Sequence, residues 1–105
     1  MDDPEGSEKF YIGQGKDFQL RNVYHKAIKY YEKRLKMAME IGDRGGEGTA
    51  YGNLGIAYYS LGDYRKAIEY LQKRLKIAME IGERGEVGTA YGKLGIAYYS
   101  LGDYR

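Results

Sequence analysis

Gly13-Gln14-Gly15-Lys16 is the segment whose residue types come nearest to a known chemistry, that of a phosphate-binding loop. Such a loop needs a Gly five positions before its Gly-Lys, a Ser or Thr after the Lys, and a strand leading in. Phe10 stands at the early position, Asp17 follows the Lys, and no nearby run alternates with the period of a strand. The Gly42–Gly48 run reads GDRGGEG and suits a connection between helices better than a dinucleotide fingerprint. His25 is the sole histidine, without the companion ligands or acid–base partners that a metal site or general base requires. The carboxylates form no convergent pair. With no cysteine, thiolate metal sites, disulfides and cysteine nucleophiles are excluded. These residues predict no enzyme, no metal and no cofactor.

Thirteen Tyr in 105 residues could instead stack on nucleic-acid bases. Seventeen basic against fifteen acidic residues leave a net charge of +2, too balanced for a nucleic-acid or anionic-membrane partner. No apolar run approaches the ~20 residues of a membrane span, and no signal-peptide pattern opens the chain. With the absence of cysteine, this gives an expectation of a cytoplasmic protein.

What positions the tyrosines and glycines is an internal repeat. Residues 45–65 and 85–105 differ at three of twenty-one positions: Gly46/Glu86, Glu47/Val87 and Asn53/Lys93. Residues 26–44 and 66–84 agree at fourteen of nineteen. Both alignments have a period of 40. The organisation expected is a mobile leader over 1–6, a degenerate first unit over 7–44, a second unit over 45–84, and a half unit over 85–105. Within a unit the apolar spacing is helical: Ala50, Tyr51, Leu54, Ala57, Tyr58 and Leu61 form one stripe, and Ala67, Ile68, Leu71, Leu75, Ala78 and Met79 a second. Gly62 and Asp63 between them read as a helix stop and an N-cap, with Gly42 and Gly82 as further stops. The predicted helices cover 8–20, 24–42, 46–61, 64–82 and 86–101, in an all-α solenoid of about two and a half helix hairpins.

Tyr51-x-x-Leu54-Gly55-x-x-Tyr58, then Gly62-x-Tyr64-x-x-Ala67 and Leu71, resemble the signature of the tetratricopeptide repeat family. The 40-residue period and the wording GDRGGEGTAYGNLGIAYYSLGDY resemble the arrays of the LGN/Pins-like spindle-orientation scaffolds within it. The chain departs from the usual unit in its length of 40 rather than 34, in ending on Gly rather than Pro, and in Arg74, where a small residue is usual. The resemblance implies that Gly55 and Ala67 let the paired helices approach closely. It also implies a groove, lined by the first helix of each unit, that holds a peptide or protein ligand. Carried over position by position, the groove residues are Thr49, Asn53, Ile56, Tyr59 and Ser60, with Thr89, Lys93, Ile96, Tyr99 and Ser100 one unit later. The first unit would add Lys9, Gly13, Lys16 and Gln19. The Lys and Arg residues of the second helices, Arg74 among them, read as a solvated outer face.

A second reading stays beside the groove. The half unit carries Tyr91, Leu94, Ala97, Tyr98 and Leu101, the stripe that a second helix covers in the preceding unit. These five are therefore candidates for self-association, as a homodimer or by a domain swap, in a structural fragment or a consensus-like design.

Overall fold

The computed structural model describes residues 15–102, with side chains described from Leu20 onward. Four helices follow one another: α1 (Gly15–Ile41), α2 (Arg44–Ser60), α3 (Tyr64–Ile81) and α4 (Arg84–Leu101). No strand occurs among the described residues. Each helix packs against the next in the chain, the arrangement of an all-α solenoid.

The turns are set by four glycines at twenty-residue spacing. Gly42, Gly62, Gly82 and Gly102 have φ of 73°, 84°, 77° and 94°, the left-handed region that a side chain disfavours. After Gly62, Asp63 starts α3 by accepting a hydrogen bond from the Lys66 backbone N–H at 3.2 Å. Asp43 does the same for α2, accepting from Gly46 N–H at 2.9 Å. At the start of α4 the corresponding residue is Glu83, whose longer side chain makes no cap bond. It lies 3.4 Å from Arg74 instead.

The first unit departs from expectation. Two helices were predicted over 8–20 and 24–42; among the described residues a single helix runs unbroken from Gly15 to Ile41. The physical reason is local. The turn Leu61-Gly62-Asp63 aligns with Arg21-Asn22-Val23, which supplies neither the flexible Gly nor the capping Asp. With no stop signal, the helix continues. The predicted leader over 1–6 lies outside the described residues.

Two core clusters repeat each other across 40 residues. Ile28, Leu54 and Ala57 join α1 to α2, with Tyr31, Leu35, Tyr58 and Leu61 around them. Ile68, Leu71, Leu94 and Ala97 join α3 to α4, with Leu75, Tyr98 and Leu101 around them. Between these clusters lies the α2–α3 contact, the pairing within the one hairpin the described residues complete. Here α2 turns Gly48, Gly52 and Gly55 to α3. A Cβ on Gly55 would come 2.8 Å from Leu71 Cγ and 3.4 Å from the Ala67 carbonyl oxygen. The close approach expected at Gly55 is present, with the Leu71 side chain as the nearer neighbour. Tyr70 stacks on Tyr51 and Tyr58, at centroid distances of 6.0 and 5.7 Å, and Lys73 and Lys66 sit over Tyr51 and Tyr58 at 5.5 Å each. Arg44 donates from Nε and Nη2 to a single Glu80 oxygen, at 3.0 and 2.6 Å.

This packing must carry a handicap. Five glycines lie within α2, each costing about 1 kcal/mol of helix propensity relative to Ala. The helix is stable because α1 and α3 hold it from two sides.

Three glycine substitutions test this packing. Gly55→Leu should lower stability by roughly 1–3 kcal/mol through overpacking against Leu71. Gly52→Ala should be neutral or stabilising, since a Cβ there meets the Arg74 stem at an ordinary 3.7 Å. Gly95→Ala, the same repeat position as Gly55 but with nothing within 4 Å, should stabilise by about 1 kcal/mol. Urea unfolding of the three variants checks the order. Burial raises the phenol pKa of both Tyr51 and Tyr70, with the carboxylate of Glu47 adding to Tyr51 and Tyr58 adding to Tyr70. Their contribution to stability is therefore complete below the ordinary value of 10.0 and is lost as pH rises through the raised values. Thermal melts from pH 8 to 11 should show an alkaline loss that Tyr51→Phe reduces.

Candidate functional site

The first helices of the second unit and the half unit, α2 and α4, flank α3 and leave a groove between them. Its apolar end is a cavity of about 170 Å³ lined by Gly55, Ile56 and Tyr59 of α2, Leu71 of α3, and Lys93 and Ile96 of α4. The polar end adjoins it at about 240 Å³. Thr49, Asn53, Arg74, Glu86, Thr89 and Lys93 contribute its polar side chains. Ile56, Leu71 and Lys93 line both cavities. Thr49 and Asn53 also line a third, between α1 and α2, with Tyr30, Tyr31 and Arg34. The surface therefore passes across α2 without a break.

Seven of the predicted groove residues line the first two cavities: Thr49, Asn53, Ile56, Tyr59, Thr89, Lys93 and Ile96. Ile56 is 43% exposed and Ile96 57%, so neither is used up in packing between units. Ser60, Ser100 and Tyr99 line none of these cavities. Ser100 is instead 2.8 Å from the Tyr59 hydroxyl, a bond that ties α4 to α2. Tyr59 is held from the other side by the Tyr64 ring, at a centroid distance of 5.0 Å. Thr49 and Thr89 each donate to the carbonyl four residues earlier, Gly45 and Gly85, which orients their methyl groups. Lys9 and Gly13 lie outside the described residues, as do the side chains of Lys16 and Gln19.

Arg74 overturns the expectation of a solvated outer face at that position. Its side chain is only 12% exposed, with Nη2 3.0 Å from Glu86 and Nη1 3.4 Å from Glu83. Nη1 has no hydrogen-bond partner of its own. The guanidinium turns inward because Gly48 and Gly52 make room: a Cβ at Gly48 would lie 2.6 Å from Nη1. The small-residue position of the usual repeat is thus filled by an Arg, and the opposing helix has become small in exchange. The spacing of Gly48 and Gly52 on the α3-facing side of α2 was the signal available for this.

The self-association set is divided by the structure. Leu94 and Ala97 are buried against Ile68 and Leu71 of α3, and Leu101 is half-buried beside them. Tyr98 is half-buried too, accepting from Gln72 Nε2 at 3.2 Å. These four residues are engaged within the chain. Tyr91 is 55% exposed. The uncovered face of α4 is therefore the one carrying Gly88, Tyr91, Gly92 and Gly95, and of the predicted stripe Tyr91 alone lies on it.

His25 is exposed. Among the described residues, no three His, Cys, Asp or Glu converge on a point that could hold a metal ion. No helix among them is long and apolar enough to cross a membrane.

Comparison with known proteins agrees with this geometry. G-protein-signaling modulator 1 of Mus musculus and of Rattus norvegicus are each 46% identical to this chain over 44 residues, and the Homo sapiens protein matches to the same degree. The match covers 42% of this chain and 6% of those proteins, so the chain spans a small fraction of their length. The family model described as tetratricopeptide repeat matches residues 10–80, through the long first helix, both helices of the complete hairpin and the glycine turns between them. The chain belongs to the tetratricopeptide repeat family.

Proposed function

We propose that the chain is a non-enzymatic adaptor that holds a peptide segment of another protein in the groove between α2 and α4. Tetratricopeptide repeats are generally protein-interaction modules. The observation carrying the finer reading is the pair Ile56 and Ile96, two isoleucines at one repeat position, both exposed and both lining one cavity. Isolated exposed apolar residues are ordinary on any surface. A repeated pair with Tyr59 beside it and Lys93 between is an apolar floor with a donor at its edge, which is what peptide recognition requires.

The chemistry of the groove describes its ligand. An apolar side chain would sit over Ile56 and Ile96. The backbone or a polar side chain of the same segment would meet Asn53 and Lys93. The polar end holds Arg74 and Lys93 against Glu86, so it asks for hydrogen-bonding capacity more than for one sign of charge. The likeness to G-protein-signaling modulator 1 supports a place in a signalling assembly, and the lack of cysteine suits the cytoplasm.

Selection from a random displayed peptide library, followed by calorimetry, tests the assignment. Selected peptides should carry an apolar anchor and lose at least about tenfold in affinity, about 1.4 kcal/mol, on Ile56→Glu or Ile96→Glu. The melting temperature should stay within a few degrees, since both side chains are exposed. Ile41→Glu, at an exposed residue away from the groove, should leave binding unchanged. Peptides indifferent to Ile56 and Ile96 would overturn the groove as the binding site.

A further inference from the structure

Two of the cavities described above are copies of each other, one repeat apart. Arg34, Gly46 and Asn53 line the one between α1 and α2. Arg74, Glu86 and Lys93 hold the same repeat positions in the polar cavity between α2 and α4. Residues 45–65 and 85–105 differ at only three positions, and two of these, Gly46/Glu86 and Asn53/Lys93, fall in the two cavities. The nearly identical units diverge where a ligand would touch them, and they diverge in charge.

The change from Gly46 to Glu86 decides the state of an arginine. The Arg74 side chain is 12% exposed, and a guanidinium so far out of water is costly without an anion beside it. The chain supplies that anion itself. Glu86 lies 3.0 Å from Nη2 and Glu83 lies 3.4 Å from Nη1. In the sister cavity the two places are filled differently. Gly46 has no side chain to offer, and Asp43, the counterpart of Glu83, is engaged as the cap of α2 through the Gly46 N–H. The Glu86 side chain is 47% exposed, so its carboxylate stands at the cavity wall, within reach of a ligand.

We infer that Glu86 is the specificity-determining residue of the groove between α2 and α4, holding the place on Arg74 that a ligand carboxylate would take. It therefore rejects a segment with an acidic residue beside its apolar anchor and selects one with an amide there, Asn or Gln. The inference rests on the groove reading above and adds the charge class of the ligand. A ligand carboxylate entering the cavity of about 240 Å³ meets the like charge of Glu86, and it reaches Nη2 only by displacing that residue. Discrimination of this kind works through a penalty on the wrong ligand, not through an added contact with the right one. An amide carries no such penalty, because its NH2 donates to Glu86 while its carbonyl accepts from Lys93. A ligand cation fares no better than an anion, since Arg74 and Lys93 both line the cavity.

Two capped dipeptides that differ in one group, N-acetyl-Leu-Gln-amide and N-acetyl-Leu-Glu-amide, test this by NMR titration of the full chain at neutral pH. The methyl signals of Ile56 and Ile96 report filling of the groove, and the Arg74 Nε–H signal reports a carboxylate on the guanidinium. On the unaltered chain the Gln peptide should bind several-fold more tightly, and the Glu peptide should leave the Arg74 signal in place. Glu86→Gly, which installs the residue of the sister cavity, should reverse the order and let the Glu peptide move the Arg74 signal. Glu86→Gln keeps the side-chain length without the charge and should act in the same direction, with circular dichroism confirming that α4 is intact in both variants. A Glu peptide that shifts Arg74 in the unaltered chain would overturn the assignment, as would an order of preference that neither Glu86 variant changes. Should neither peptide move the Ile56 and Ile96 signals, the groove reading is what fails. Acetate at constant ionic strength then decides the role of Glu86 alone: Arg74 should respond in Glu86→Gly and not in the unaltered chain, and an equal response in both would overturn it.

Discussion

The architecture depends on one contact, the seating of the α2 glycine face on Leu71, Arg74 and Ile77 of α3. Glycine is a poor helix former, so a helix with five of them exists only where something outside it compensates. What compensates here is proximity. Without Cβ atoms at Gly48 and Gly55, α3 comes close enough for Leu54 to be buried completely and for the Tyr51–Tyr70–Tyr58 stack to form. Dispersion and apolar burial in so tight a contact grow with every atom brought into range. The glycines thus weaken the helix locally and strengthen the hairpin globally.

The groove is a consequence of that contact. Seating α3 closely behind α2 brings Leu71 to the groove floor, and seating α4 on the other side of α3 brings Ile96 and Lys93 opposite Ile56. The Tyr59–Ser100 hydrogen bond joins the two first helices directly. Arg74 belongs to the same economy of space. Its stem lies over Gly52 while its guanidinium reaches Glu83 and Glu86 at the start of α4, so a residue that packs the hairpin also fixes the next helix. A surface arginine pair contributes little, but one held at 12% exposure with its stem packed is a spacer as well as a charge.

Most of this was legible in the residues because a repeat states its own structure twice. The period came from comparing each position with its copy, the helices from apolar spacing within a unit, the stops at Gly42, Gly62 and Gly82 from glycine chemistry, and the closeness at Gly55 from the family resemblance. The readings that failed are those decided by a changed turn or by residues of a neighbouring helix. Asn22 and Val23 stand where a Gly and an Asp made a turn, and the alignment alone kept a hairpin that their chemistry cannot close. Leu94 and Ala97 were expected to need a following helix, yet they pack on the preceding helix α3, just as their counterparts Leu54 and Ala57 pack on α1. Arg74 was read from charge alone, as one more cation on a polar face. Its orientation follows from glycines on a different helix, a pairing that helical spacing within one element does not reveal.

Native-state hydrogen exchange at micromolar concentration, where chains are kept apart, measures the central claim most directly. If the glycine face requires an opposing helix, amides of α2 should be the most protected with those of α3, while α4 should exchange far faster. Its sequence is nearly that of α2, so intrinsic propensity predicts little difference between them. Slow exchange in α2 together with fast exchange in α4 is the result expected. Equal protection of the two helices in the isolated chain would contradict the account, because the α2–α3 seating would then contribute nothing that α4 lacks.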